Sequence, residues 1–315
     1  NFEKTVALKA ESDKLAHDAL DVLAAAAIEQ RDARAGTRRV ASGAHARKRA
    51  VGDHAQHHRI LHVDMAAESA TALVDRGYTA VKFDPAGPYT QFGGHMPSQS
   101  DISRSVAFCE KIRAAVGDKA DLLFGTHGQF STAGAIQLGK ALERFSPMWF
   151  EEPIPPDNLL EFAKVAAALR IPIATGERLT TKAEFATLLR TAGAAIMQPA
   201  LGRAGGIWEM KKMAAIAETF NAQVAPHLYA GPIEWAANIH LGVSIPNFLI
   251  AETIETEFHK SLISSSIIVE NGYIAAPSQS GLGIEVNETL ARAHPYTGTK
   301  LHLEMSPLPN AYRSQ

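Results

Sequence analysis

Eight short apolar runs, separated by stretches with helical spacing, constrain the fold of this chain more than any other feature. They begin near residues 59, 79, 121, 148, 172, 194, 223 and 248. Continuous apolar runs bounded by turn residues are typical of parallel strands that are buried on both faces. Eight strands alternating with helices predict a TIM-type α/β barrel, which we favour over an open doubly wound sheet. No glycine-rich phosphate loop follows any run, and this argues against a dinucleotide-binding fold.

Two of the connecting segments carry clear helix signals. The segment from Ser131 to Phe145 repeats its apolar residues at helical spacing, and Asp157 is expected to cap a helix from Leu159 to Leu169.

The segment between the second and third runs contains a long polar loop, AGPYTQFGGHMPSQS, which starts at Ala86. Long loops of this kind often close over a substrate. We therefore predict that Tyr89 and His95 in this loop bind the substrate.

Composition excludes several classes of protein. Hydrophobic residues make up 46% and the net charge is only −2, so the chain is globular and offers no general argument for binding nucleic acid. No apolar run reaches the roughly 18 residues of a membrane span. The one cysteine, Cys109, excludes a disulfide framework and suits a reducing compartment. We expect a cytoplasmic protein without nucleic-acid or membrane partners.

Residues 31–60 differ in kind from the rest. Seven Arg and one Lys face two Asp there, and large apolar residues are almost absent. A basic arm for an acidic partner is one interpretation. A solvated, poorly ordered stretch, or a sequence not selected to fold, is the alternative that we favour.

Ionisable and amide side chains stand at or just after the ends of the predicted strands. They are Lys82, Asp84, His127, Gln129, Glu151, Glu152, Glu177, Gln198, His227 and Glu252. In a barrel these ends meet at one rim, where the active site is built. Any single one of these residues could form a rim salt bridge, but Glu151 and Glu177 would converge, and two carboxylates so close need a cation. A hard divalent ion, Mg²⁺ before Mn²⁺, meets that need.

Five motifs occur in an order and spacing that resemble a known family. They are WFEEP at 149–153, ATGE at 174–177, QPALGRAGGI at 198–207, APH at 225–227 and PNFLIAE at 246–252. The chain is similar to the mandelate racemase branch of the enolase superfamily, and most of all to its galactonate-type sugar-acid dehydratases. The resemblance implies a (β/α)₇β barrel, a Mg²⁺ ion and abstraction of the proton α to a carboxylate.

The resemblance also implies roles for individual residues. Glu151 and Glu177 match metal ligands, His227 matches the general base, and His127 matches the acid that protonates the leaving hydroxyl. Glu252 matches an acidic group near the substrate carboxylate, and Lys82 matches the first lysine of a K-x-K pattern. Gln129 is expected to bind substrate.

Three positions depart from the family pattern. Gly125 stands where the third strand should end in a metal-binding aspartate, and His127 could then become a ligand instead of an acid. Asp84 replaces the second lysine of the K-x-K pattern, which keeps it among the expected catalytic residues. Ala200 replaces an aspartate that pairs with the base.

We expect three segments and one main activity. Residues 1–58 are an incomplete or atypical N-terminal capping region, in which 31–58 are candidates for disorder. Residues 59–285 form the barrel, and 286–315 form a C-terminal capping segment. The expected function is metal-dependent removal of water from a sugar acid to give a 2-keto-3-deoxy acid. A racemase, epimerase or cycloisomerase on the same barrel, or an inactive barrel, are alternatives, and a homo-oligomer is expected.

Overall fold

Seven β/α units and an eighth strand succeed one another along the chain. The computed structural model describes residues 47–53, 63–86, 94–253, 256–265, 267, 269–275, 277 and 279–295. The strands are β1 (Arg47–Asp53), β2 (Ala80–Phe83), β3 (Asp121–Gly125), β4 (Trp149–Glu151), β5 (Ile173–Thr175), β6 (Ile196–Met197), β7 (Gln223–Val224) and β8 (Ala251–Thr253). The helices are α1 (Val63–Asp75), α2 (Gln99–Val116), α3 (Thr132–Leu142), α4 (Leu159–Ala168), α5 (Lys182–Ala192), α6 (Gly206–Glu218) and α7 (Pro232–Ser244). The (β/α)₇β arrangement expected from the resemblance is confirmed.

The strands form a closed ring. Strands β1 to β7 pair in parallel in chain order, and β8 pairs in parallel with β1. Val224 in β7 donates to the carbonyl of Asn247 at 2.9 Å and accepts from the amide of Leu249 at 2.8 Å. The residues just before β8 therefore pair with β7, so that the carboxyl ends of all eight strands meet at one rim.

Alternation along each strand divides the core into two layers. One buried cluster fills the barrel interior and comprises Ala80, Leu123, Trp149, Ala174, Ile196, Ala225, Leu249 and Ile250. The opposite faces of the strands pack against the helices, where Phe83, Phe124 and Phe150 lie edge to face. Because side chains alternate between the two faces, the inward positions after Leu123 and Trp149 are Gly125 and Glu151.

The first strand lies upstream of its predicted position. The apolar run from residue 59 is expected to form it, and this is wrong from Val63 onward, because Val63–Asp75 is helical; residues 59–62 lie outside the described ranges. Arg47–Asp53 pairs with β2 and β8 instead. Backbone groups make this pairing, so a strand with few apolar residues can complete the ring, although nothing in its composition predicts it. Arg47–Asp53 lies within residues 31–58, the candidates for disorder in the expected capping region, and it is a strand of the barrel instead; the other limits of the three segments stay predictions.

Two of the helix starts can be compared with the sequence signals. Ser131 caps α3, with its side chain accepting from the amide of Gly134. The cap of α4 is Asn158 and not Asp157, because the Asn158 side chain accepts from the amides of Leu160 and Glu161. Both residue types suit this position, and only the backbone path distinguishes them.

Small elements follow the barrel. They are α8 (Glu257–Leu262), β9 (Ile263–Ser265), β10 (Val269–Glu270), β11 (Tyr273–Ala275), β12 (Ile284–Val286) and α9 (Glu288–Ala293). The β10–β11 pair joins the barrel sheet through antiparallel pairing of β11 with the start of β1. Strands β9 and β12 form a separate antiparallel pair.

Candidate active site

Lys82 links two carboxylates inside the rim. Its Nζ lies 2.9 Å from Glu151 Oε1 and 2.6 Å from Glu252 Oε1. All three residues are at most 8% exposed. Burial alone would raise the pKa of Glu252, but the charge of Lys82, with smaller contributions from His227 and hydrogen bonds, holds it below its usual value. The Lys82 ammonium therefore offsets one of the two buried negative charges, and the group keeps one net negative charge away from water.

The second oxygen of Glu151 is held by uncharged donors. Glu151 Oε2 accepts from Gln198 Nε2 at 2.9 Å and from Trp149 Nε1 at 3.1 Å. Gln198 stands at a strand end, but nothing in the sequence pattern predicts a role for it or for Trp149. With Lys82 on Oε1, both oxygens of Glu151 have protein donors.

Glu177 and His227 meet on the other side of the rim. His227 Nε2 lies 3.3 Å from Glu177 Oε2, and both residues are 8% exposed. Backbone pairing with Ala200 places His227, and its Nδ1 has no hydrogen-bond partner among the described residues. Burial would raise the pKa of Glu177, but His227 and His127, when protonated, together with Lys82 and Arg178, lower it overall.

Arg178, for which the sequence pattern predicts no role, connects three strand ends. Its Nη2 donates to the carbonyl of His127 at 2.7 Å. Its Nε lies 3.3 Å from Glu152 Oε2 and 4.0 Å from Glu177 Oε1. The signal that could have found it is its place directly after a rim carboxylate in the sequence.

Glu152 is a buried acid in an unusual backbone conformation. Its φ is 35°, a left-handed value that costs a glutamate about 1 kcal/mol or more. Its side chain accepts from Thr175 Oγ1 at 3.2 Å. Burial and the charge of Glu177 raise its pKa to about 8, despite the opposing charge of Arg178.

Asp84, Gln129 and His127 form a second polar group at the β2 and β3 ends. Gln129 Nε2 donates to Asp84 Oδ2 at 2.6 Å, and Gln129 Oε1 accepts from the amide of His127 at 3.2 Å. Burial raises the pKa of Asp84, against the effects of its hydrogen bonds and of His127. Asp84 thus positions the His127 segment through Gln129.

The two predicted substrate-binding residues of the long loop are placed differently. His95 packs beside this group, because its amide and its Nδ1 both lie within hydrogen-bond distance of the Gln129 carbonyl, at 3.0 and 2.6 Å. Tyr89 lies outside the described residues.

Glu151 and Glu177 are the two carboxylates predicted to hold a divalent ion, and their oxygens are occupied differently. Glu177 Oε2 is buried and accepts no hydrogen bond within the described part of the chain. No group of three or more His, Cys, Asp or Glu in a ligand arrangement occurs among the described residues, so His127 is not grouped with the two carboxylates. Mg²⁺ commonly binds through one or two carboxylates and keeps several waters, so the buried Glu177 Oε2 is the observation that fits such an ion, whereas both Glu151 oxygens already have protein donors.

Comparison with known proteins agrees with this architecture. Residues 64–290 match the family described as enolase C-terminal domain-like. A D-gluconate/D-galactonate dehydratase of Picrophilus torridus is 34% identical over 241 residues, which are 76% of this chain and 60% of that protein. A D-xylonate dehydratase of Haloferax volcanii is 31% identical over 75% of this chain and 58% of its own length.

Solved structures are closer in sequence. A mandelate racemase/muconate lactonizing enzyme-like protein from Roseovarius sp. TM1035 is 71% identical, with a TM-score of 0.75 over 78% of this chain and 62% of that chain. A mandelate racemase/muconate lactonizing enzyme from Sulfitobacter sp. is 70% identical, with a TM-score of 0.75 over 79% of this chain and 63% of that chain. The chain spans about 60% of the length of these relatives. It belongs to the enolase C-terminal domain-like family.

Proposed function

We propose that this barrel carries the chemistry of a sugar-acid dehydratase, which removes water from a sugar acid to give a 2-keto-3-deoxy acid. The observation that carries the proposal is the meeting of His227 with Glu177 at the rim that also holds Glu151. A buried imidazole beside carboxylates suits the removal of a proton next to a substrate carboxylate. The dehydratases among the relatives support the substrate class.

His227 is the proposed base. It takes the proton from the carbon α to the carboxylate, and the electron pair of that C–H bond forms a double bond to the β carbon. Glu177, 3.3 Å from Nε2, stabilises the imidazolium that results.

His127 is the proposed acid. As the bond from the β carbon to its hydroxyl breaks, His127 supplies the proton that turns the hydroxyl into water. The enol that remains becomes the 2-keto product by tautomerisation. Arg178 and Gln129 hold the backbone of His127 at its carbonyl and its amide.

Glu151 and Glu177 are the residues that would hold Mg²⁺, with Mn²⁺ as a substitute. When bound, the ion would supply positive charge beside the substrate carboxylate, where negative charge grows as the proton leaves. Lys82 contacts both Glu151 and Glu252, so that one ammonium and a second carboxylate lie beside the proposed ligand Glu151. Gln129, Tyr89 and His95 are proposed to contact the hydroxyl groups of the substrate.

The experiment is a screen of gluconate, galactonate and xylonate for 2-keto-3-deoxy acids, run in D₂O with Mg²⁺. Dehydration gives the keto product. A racemase, epimerase or cycloisomerase on the same rim gives α-deuteration or an isomer, and no keto product. No exchange with any sugar acid would contradict the proposal and indicate an inactive barrel.

The wider cellular setting is also proposed from the sequence. A cytoplasmic location and a homo-oligomeric state stay predictions. Over the ranges that the structure covers, no helix has the length and apolarity needed to cross a bilayer.

A further inference from the structure

We propose that Lys82, as a positioning residue, lowers the affinity of this rim for a divalent ion. Its ammonium already supplies positive charge to Glu151 and Glu252. The inference deepens the proposed function and rests on its assignment of Glu151 as a metal ligand. A divalent ion can bind Glu151 only against the repulsion of this ammonium.

Gly125 makes the arrangement possible. A Cβ atom at position 125 would lie 2.7 Å from Lys82 Cε and 3.3 Å from Lys82 Cγ, which is too close for either contact to persist unchanged. Gly125 is not among the residues with positive φ, so its backbone conformation does not require a glycine. The missing side chain therefore provides space, and Lys82 uses that space to cross from β2 to Glu151.

Strand register explains why the crossing works. Lys82 pairs with Leu123, and Gly125, two residues further along β3, pairs with Glu151. All three side-chain positions point into the barrel, since residues two apart share a face. The Lys82 side chain thus passes over Gly125 and contacts the carboxylate of Glu151.

The charges make the ammonium necessary. Glu151 and Glu252 are 1% and 8% exposed, and Lys82 contacts both. Two buried carboxylates without a cation are strongly unfavourable. If Lys82 is removed, the two carboxylates must take up a proton or bind another cation, and a divalent ion then meets no ammonium at Glu151.

The test is metal binding by metal-stripped protein, measured by calorimetric titration with Mg²⁺ and by the melting temperature in EDTA and in millimolar Mg²⁺. Lys82→Met keeps the length of the side chain and removes its charge. We expect it to melt several degrees lower in EDTA, to recover part of that loss in Mg²⁺, and to bind Mg²⁺ about tenfold more tightly or better than the unaltered chain. Lys211→Met, at an exposed position on α6, should change neither quantity. Equal or weaker Mg²⁺ binding by Lys82→Met would overturn the inference.

Gly125→Ala tests the same point with every charge retained, and it serves if Lys82→Met does not fold. The added methyl should push Lys82 away from Glu151, lower the melting temperature and tighten Mg²⁺ binding by a smaller factor. Lys82→Ala removes the atoms that would collide with the added methyl. In that background, Gly125→Ala should lower the melting temperature little further. An unchanged melting temperature and affinity in Gly125→Ala would also overturn the inference.

The outcome is separable from that of the proposed function. Tighter metal binding by Lys82→Met in a protein that dehydrates no sugar acid would support this inference and contradict the dehydratase. Turnover by the unaltered chain with unchanged metal binding in Lys82→Met would do the reverse.

Discussion

The two sides of the barrel rim differ in how completely their polar groups are paired. Around Lys82, Glu151 and Glu252, each carboxylate oxygen has a protein donor. Around Glu177 and His227, Glu177 Oε2 and Glu152 Oε2 each lie 3.3 Å from a nitrogen of His227 or Arg178 but accept no hydrogen bond among the described residues, and His227 Nδ1 has no hydrogen-bond partner there. Buried polar atoms are nearly always satisfied, so those that are not call for a ligand or a proton. We call the group around Lys82 the paired side and the group around Glu177 and His227 the unpaired side, according to their hydrogen bonds. The paired side contributes to the stability of the fold, and the unpaired side is where we expect proton transfer.

The largest effect should come from His227→Asn. Loss of a general base lowers turnover by about 10²–10⁴-fold, and α-proton exchange in D₂O should fall equally. The melting temperature should fall only a little, because the variant loses the 3.3 Å contact of Nε2 with Glu177 Oε2, whereas Nδ1 has no hydrogen-bond partner among the described residues. His240→Asn on α7 is the matched control. Retained exchange would remove His227 from the proposed role.

On the paired side, Lys82→Met should act on stability first. Removing one partner of a buried ion group costs about 3–5 kcal/mol because the other charges remain buried. Denaturant unfolding in EDTA measures this loss. A cost below about 1 kcal/mol, as at exposed ion pairs, would erase the difference between the two sides.

Arg178 joins the unpaired side to the His127 segment. Arg178→Met should lower kcat about ten- to a hundredfold with a small change in KM, because His127 loses its anchor while the binding groups remain. Arg178→Lys should recover part of kcat only if charge beside Glu152 and Glu177 matters. A change in KM alone would show that Arg178 contacts the substrate instead.

A smaller effect is expected far from the rim. Thr181 caps α5 in a reciprocal arrangement with Glu184. Thr181→Ala should cost about 1 kcal/mol, with turnover and Mg²⁺ affinity unchanged. Altered metal binding in this variant would mean that lost stability alone perturbs the site, and would weaken the interpretation of Lys82→Met.

The smallest response is expected from Cys109. Burial, reinforced by the charge of Asp84, raises the pKa of its thiol well above the ordinary value. The reactive thiolate is therefore disfavoured, and the native protein should resist alkylation at pH 8 and react only after unfolding. Rapid alkylation of the folded protein would show that this part of the core opens readily.

Local patterns predicted most of the fold. Seven of the eight apolar runs correspond to strands, because a buried parallel strand needs a continuous apolar sequence wherever the chain places it. The first strand escaped prediction because Arg47–Asp53 joins the sheet through backbone pairing and lacks that pattern. The roles of Trp149 and Arg178 were not predicted either, because each role depends on the residues that lie opposite in the folded chain.

The sequence by itself determined which ionisable residues end the strands and that Gly125 and Ala200 break the family pattern. Only the tertiary structure decided how those charges pair. Lys82 and Glu252 are 170 positions apart in sequence, yet closure of the ring through β1 brings them within 2.6 Å. Sequence spacing carries no information about such a contact, because the distance depends on strand register and on the space that one missing side chain leaves at Gly125.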